Sequence, residues 1–196
     1  MPDSGHTRRS HRCPTLVAFL AGAWLALLVG SGLNAGWLFS ALMKAGVQFR
    51  QGPATGIDSE ETGRILAGVL AQPAFVAVFL FGLVAGPWSA WLLLRRARGV
   101  EHPGTHLRVA AFLLLAAAAI GAGQLVLART IADRAVERTE ALVSGDQARA
   151  AQARAALDGV HRVSEVAFSA QVFLVALGLL AVIRPASRGK SAVDAG

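Results

Sequence analysis

Polar residues able to do chemistry are few in this chain, and most would share one end of a helical bundle. They are Asn34, Gln124, Arg129, His161, Ser164, Glu165, Ser169 and Gln171. His161, Ser164 and Glu165 fall on neighbouring faces of one helical turn. An imidazole changes charge near neutral pH, and a carboxylate one turn away would bias that switch. Carboxamides such as those of Asn34 and Gln124 both donate and accept hydrogen bonds. Ionisable residues near a bilayer are costly and often mark a site. Two uses stay open: a site for a small solute or ion, or a cap that fixes helix register.

Sharper chemistry does not fit. Ser164, His161 and Glu165 are only local helix neighbours, with no visible oxyanion hole, so no enzyme is expected. A haem held by two histidines would need both at one depth, whereas His102 and His106 fall at the end opposite His161. Pro103-Gly104 breaks any helical metal pair between them. Cys13 is the sole cysteine, and with His6 and His11 it reads as part of a basic tail. No Gly-rich loop with Lys cradles a phosphate. No metal and no cofactor are expected.

The elements that must position these residues follow from charge. No Asp, Glu, Lys or Arg occurs in 13–43, 65–94, 109–128 or 166–183 of the 196 residues. A bilayer core needs roughly 20 apolar residues as helix. Hydrophobic residues make up 54% and charged residues 16%, against about 25% charged in soluble domains. These values exclude an ordinary soluble domain and a disordered chain. They predict an all-α membrane protein, a four-transmembrane-helix bundle with spans at about 15–43, 63–94, 109–128 and 166–183. The first run is too long for a signal peptide and lacks a clean cleavage site.

The net charge of +7 lies in residues 1–12, 95–108 and 184–196, while 44–64 and 129–165 are balanced. Lys and Arg near span ends favour the cytoplasmic side. Both termini are therefore expected in the cytoplasm, with the chain multi-pass in the inner (plasma) membrane. The basic segments follow this topology and suit anionic head groups, so nucleic acid is not an expected partner. Residues 1–14 read as a basic tail, 15–184 as the membrane domain and 185–196 as a flexible tail.

Gly32 and Gly36 on span one, and Gly82 and Gly86 on span two, have the spacing of close helix packing. Pro73 and Pro87 fall inside span two, where each removes a backbone donor. Trp88 and Trp91 suit an interfacial aromatic belt, as do Trp24 and Trp37. Residues 129–165 contain no proline and pair opposite charges at helical spacing: Arg129 with Asp133, Arg154 with Asp158, Asp158 with Arg162, and His161 with Glu165. Ser144-Gly145-Asp146 breaks that pattern once. Spans three and four are thus expected to extend into an extracytoplasmic helical hairpin, with Ile131, Ala135 and Leu142 facing Ala153, Leu157 and Val160.

Four segments carry a family resemblance: Gly36-Trp37-Leu38-Phe39, Thr62-Gly63-Arg64-Ile65-Leu66, Gln124-Leu125-Val126-Leu127-Ala128-Arg129, and Leu157-Asp158-Gly159-Val160-His161-Arg162-Val163-Ser164. In order and placement they resemble the transmembrane protein 205-like family, in bacteria a domain of unknown function. The resemblance covers about 20–185. It implies four spans, with Gln124 matching the motif of the third and His161 and Ser164 matching the entry to the fourth. Thr62 stands where the family has Ala, and Gly159 where it has a bulkier apolar residue. For function the resemblance implies metal or drug handling, to which this sequence brings few soft ligands.

The residues themselves predict a membrane protein that binds or moves a small solute or ion through the polar group at the outer end. The alternative is a structural or assembly subunit of a membrane complex or homo-oligomer. Expected partners are the lipid bilayer and a second membrane chain.

Overall fold

The computed structural model describes residues 6–45, 59–98 and 105–183, with side chains from Pro14 and Gly63 onward in the first two stretches. The remaining parts of both tails and of the first two loops, including the segment expected to be a flexible tail at 185–196, lie outside the described residues. The described residues form four helices and no strand: α1 (His6–Lys44), α2 (Ser59–Arg98), α3 (Thr105–Val143) and α4 (Gln147–Ile183). Each is long and apolar enough to cross a membrane, as a multi-pass membrane protein requires. α1 begins nine residues before the expected span start, so residues 6–14 of the basic segment are helical, Pro14 included.

The helices pack as a ring in chain order. α3 and α4 share the longest contact, α1 on α2 and α2 on α3 are intermediate, and α4 closes on α1 over a shorter seam. Register follows from a few contacts. Trp24 of α1 meets Gly82 of α2, and Leu42 meets Gly63, so these two helices run antiparallel. Gln171 meets Ala117 and Gln124 meets Ser164, so α3 and α4 do as well.

Inward positions step by three and four. On α1 they are Val17, Ala21, Trp24, Leu28, Ser31 and Ala35, and on α4 Gln171, Val175, Gly178 and Val182. That spacing keeps one seam facing the neighbours over many turns. Much of the core is alanine, which lets the backbones approach closely. Large apolar side chains such as Phe19, Leu33, Phe112, Val126 and Phe173 face outward on three of the helices. Such surfaces are compatible with lipid contact.

Trp24 is a correction to the belt expected from sequence. It is 1% exposed and lies in the core, with a glycine opposite to receive its ring. Trp37, Trp88 and Trp91 are exposed.

Beyond Arg129 and before Glu165, α3 and α4 continue together as a helical hairpin that turns at Ser144–Asp146. The end of α3 is a Schellman motif. The Asp146 amide donates to the Ala141 carbonyl at 2.9 Å and the Gly145 amide to the Leu142 carbonyl at 3.2 Å. Gly145 takes the left-handed conformation this needs, with φ 77°. The Asp146 carboxylate then accepts from the Arg149 amide at 3.0 Å and caps α4.

The hairpin ion pairs differ from those expected. Arg134 bonds Glu137 at 2.7 Å, and Arg149 reaches Glu137 across the hairpin at 3.9 Å. The four pairs expected from sequence spacing do not close. The seam is tightest at Arg138, Ala141, Ala150 and Ala153, while Ile131, Ala135, Leu142, Leu157 and Val160 are half-buried along it.

Candidate functional site

Of the eight polar residues expected to share one end of the bundle, the structure joins two side chain to side chain, Gln124 and Ser164. Gln124 is 1% exposed and Ser164 is half-buried. The Gln124 Nε2 donates to the Ser164 backbone carbonyl at 2.8 Å, and the Ser164 Oγ donates to Gln124 Oε1 at 2.8 Å. Both ends of the carboxamide are thus used by one residue of the facing helix. Interhelical hydrogen bonds of this kind stabilise membrane bundles by about 0.6 kcal/mol each, rising to about 1.7.

Asn34, Arg129, His161 and Glu165 are exposed and do not join that pair. Helix rotation explains why, since each residue turns about 100° from the last. Asn34 precedes the buried Ala35 and is carried off the inward seam. His161 and Glu165 flank Ser164 on the side away from the line that continues through Gln171 and Gly178. Arg129 lies five residues past Gln124, on a different face of α3. His161 and Glu165 form no ion pair with each other. Ser169 donates to the Glu165 backbone carbonyl at 2.9 Å, a bond inside its own helix.

A second polar layer lies deeper, and its partners were not foreseen. Gln171 is fully buried, and its Nε2 donates to the Ala117 carbonyl at 3.2 Å. Gly121 makes room for it, since a Cβ there would stand 2.7 Å from Nε2. The other amide atom, Oε1, has no hydrogen-bond partner, and neither has Trp24 Nε1. The Trp24 ring lies on Gly82 and Gly86, and Gly86 in turn meets Leu114 and Ala118 of α3. Trp24 and Gln171 therefore flank the same part of α3, residues 114–121. Orphaned polar atoms in a dry core cost on the order of 1–3 kcal/mol each. The signal for this layer was the spacing of seven between Ser164, Gln171 and Gly178, two helical turns on one face.

Phe168 separates the two polar layers. Its ring packs edge-on against Phe75 of α2 with centroids 5.6 Å apart, and Phe75 stacks on Phe79 at 6.1 Å. A Cβ at Gly32 of α1 would stand 3.4 Å from the same Phe168 ring.

The four packing glycines expected from sequence separate into two kinds. A Cβ at Gly82 would stand 2.5 Å from the Trp24 ring, and one at Gly86 2.7 Å from Ala118 Cβ. Both are close helix contacts within the chain. Gly36 is exposed and a Cβ there would meet nothing within 4 Å. Gly63 and Gly178, not among the packing glycines expected from sequence, sit close to the Leu42 carbonyl and the Leu114 side chain.

Among the described residues no three His, Cys, Asp or Glu side chains converge as metal ligands would. The His6, His11 and Cys13 side chains and His102 lie outside the described residues, and His106 is half-buried near the start of α3. Comparison of the chain with protein-family models, with curated proteins and with solved structures returns no match.

Proposed function

We propose that this chain is a non-enzymatic structural subunit of the plasma membrane that assembles with further copies of itself. Its termini are cytoplasmic and the α3–α4 hairpin projects outside, as the charge distribution favours. The observation that carries the reading is the closed Gln124–Ser164 pair. These groups satisfy each other, as groups that fix helix register do, while Asn34, Arg129, His161 and Glu165 lie on exposed faces. Gly36 supports assembly, because nothing within the chain covers its backbone, which is open to another helix.

Native mass spectrometry of the protein in lipid nanodiscs tests this. The expected result is an oligomer that Gly36→Leu converts to a folded monomer and that His161→Ala leaves intact. A wild-type chain that is monomeric at every protein-to-lipid ratio overturns the reading.

A second reading, binding of a small polar solute, moves from the outer end to the middle of the bundle. The unpartnered Trp24 Nε1 and Gln171 Oε1 favour it, being a buried donor and a buried acceptor. If one occupant bridges them, Trp24→Phe and Gln171→Leu have strongly non-additive effects on thermal stability. Additive losses exclude a shared occupant.

A further inference from the structure

At the end of the bundle away from the hairpin, one face of α2 carries a shallow, open groove of about 380 Å³ lined by Val84, Pro87, Trp88 and Trp91. Its walls are apolar and exposed to whatever surrounds the helices. Trp88 and Trp91 lie side by side with ring centroids 5.5 Å apart and tilted by 43°. At the mouth, the Arg95 guanidinium sits 5.4 Å from the centre of the Trp91 ring. That geometry holds a cation over an aromatic face at the level where tryptophans meet head groups.

Among the described residues, the charge around the mouth has one sign. Arg95 and Arg98 are exposed at the end of α2, and Arg108 is exposed at the start of α3. Glu101 is the sole acidic residue in the 71 positions between Glu61 and Asp133. From Val84 to Arg95 the helix rises about 16 Å, about the depth of one leaflet's hydrocarbon below a phosphate. The groove is therefore apolar along its length and cationic at one end.

We propose that this groove is a binding site for one anionic phospholipid. An acyl chain lies along Val84, Pro87 and Trp88, and the phosphate meets Arg95 above Trp91. Charge complementarity selects the occupant, since a zwitterionic lipid would bring a choline or amine toward the same arginines.

The test is native mass spectrometry of the full chain released from nanodiscs of equimolar phosphatidylglycerol and phosphatidylcholine. The wild-type protein is expected to retain phosphatidylglycerol preferentially. Arg95→Gln lowers that retention about fivefold, the ratio expected for one arginine at a membrane surface. Arg108→Gln removes the same charge from α3, off the helix that lines the groove, and leaves retention within twofold. Val84→Trp fills the groove without touching charge and lowers retention as Arg95→Gln does. Thermal unfolding of each variant confirms that the bundle is intact. Equal retention of the two lipids overturns the site. So does an equal loss in Arg95→Gln and Arg108→Gln, which would mean that charge acts diffusely.

Discussion

Gly32 and Gly36 on α1 and Gly82 and Gly86 on α2 have identical spacing, yet they occupy different surroundings. The α2 pair receives the Trp24 ring on one side and α3 on the other, both closer than any side-chain carbon could stand. The α1 pair divides, with Gly32 in ordinary contact with Phe168 and Gly36 facing outward. The difference lies in what stands opposite. A glycine becomes a packing device when a bulky ring or a neighbouring backbone occupies the space of its missing side chain. Spacing alone reports only that the space exists.

Alanine substitutions at the four positions would break or sharpen this contrast, read as thermal unfolding in detergent. Gly82→Ala is expected to cost most, about 3 kcal/mol, because the buried indole has no free space to retreat into. Gly86→Ala should cost about 2 kcal/mol, since the new methyl meets Ala118 and the Leu114 carbonyl. Gly36→Ala should act in the opposite sense in the separated protomer and stabilise it by up to about 1 kcal/mol, as helix propensity is gained without a clash inside the chain. Gly32→Ala should change stability least, within about 0.5 kcal/mol, with propensity set against a tight but tolerable approach to Phe168. A Gly82→Ala variant as stable as wild type would remove the contrast altogether.

The same contrast shows what was legible in the sequence. Four charge-free runs suffice to count and place the helices, because burying charge in hydrocarbon is costly whichever way a helix faces. Ser144-Gly145-Asp146 announced the hairpin turn, since a left-handed glycine followed by a capping carboxylate has few other uses. Rotation about each helix axis was much less legible. In a soluble helix a polar stripe marks the outside, whereas here lipid-facing and core-facing positions are both apolar. Trp24 therefore read as a belt residue when it is the largest side chain in the core. The outer polar residues read as one cluster because they share a depth, although helix rotation spreads them over different faces. Gln124 and Ser164 were recognised as members of that group, but their mutual closure depends on the α3–α4 register.

The unbroken course of α3 and α4 also has a mechanical consequence. Between Gln124 and the Gly145 turn neither helix is interrupted, so the hairpin is a stiff arm about 30 Å long. Its tip is braced by Glu137 and Arg149, and its root is the Gln124–Ser164 rung. A sideways force on the tip thus arrives at the rung as torque instead of being absorbed along the way. The short α1–α4 seam lies beside that root, with Phe168 one turn beyond Ser164, and offers the least resistance to such a twist.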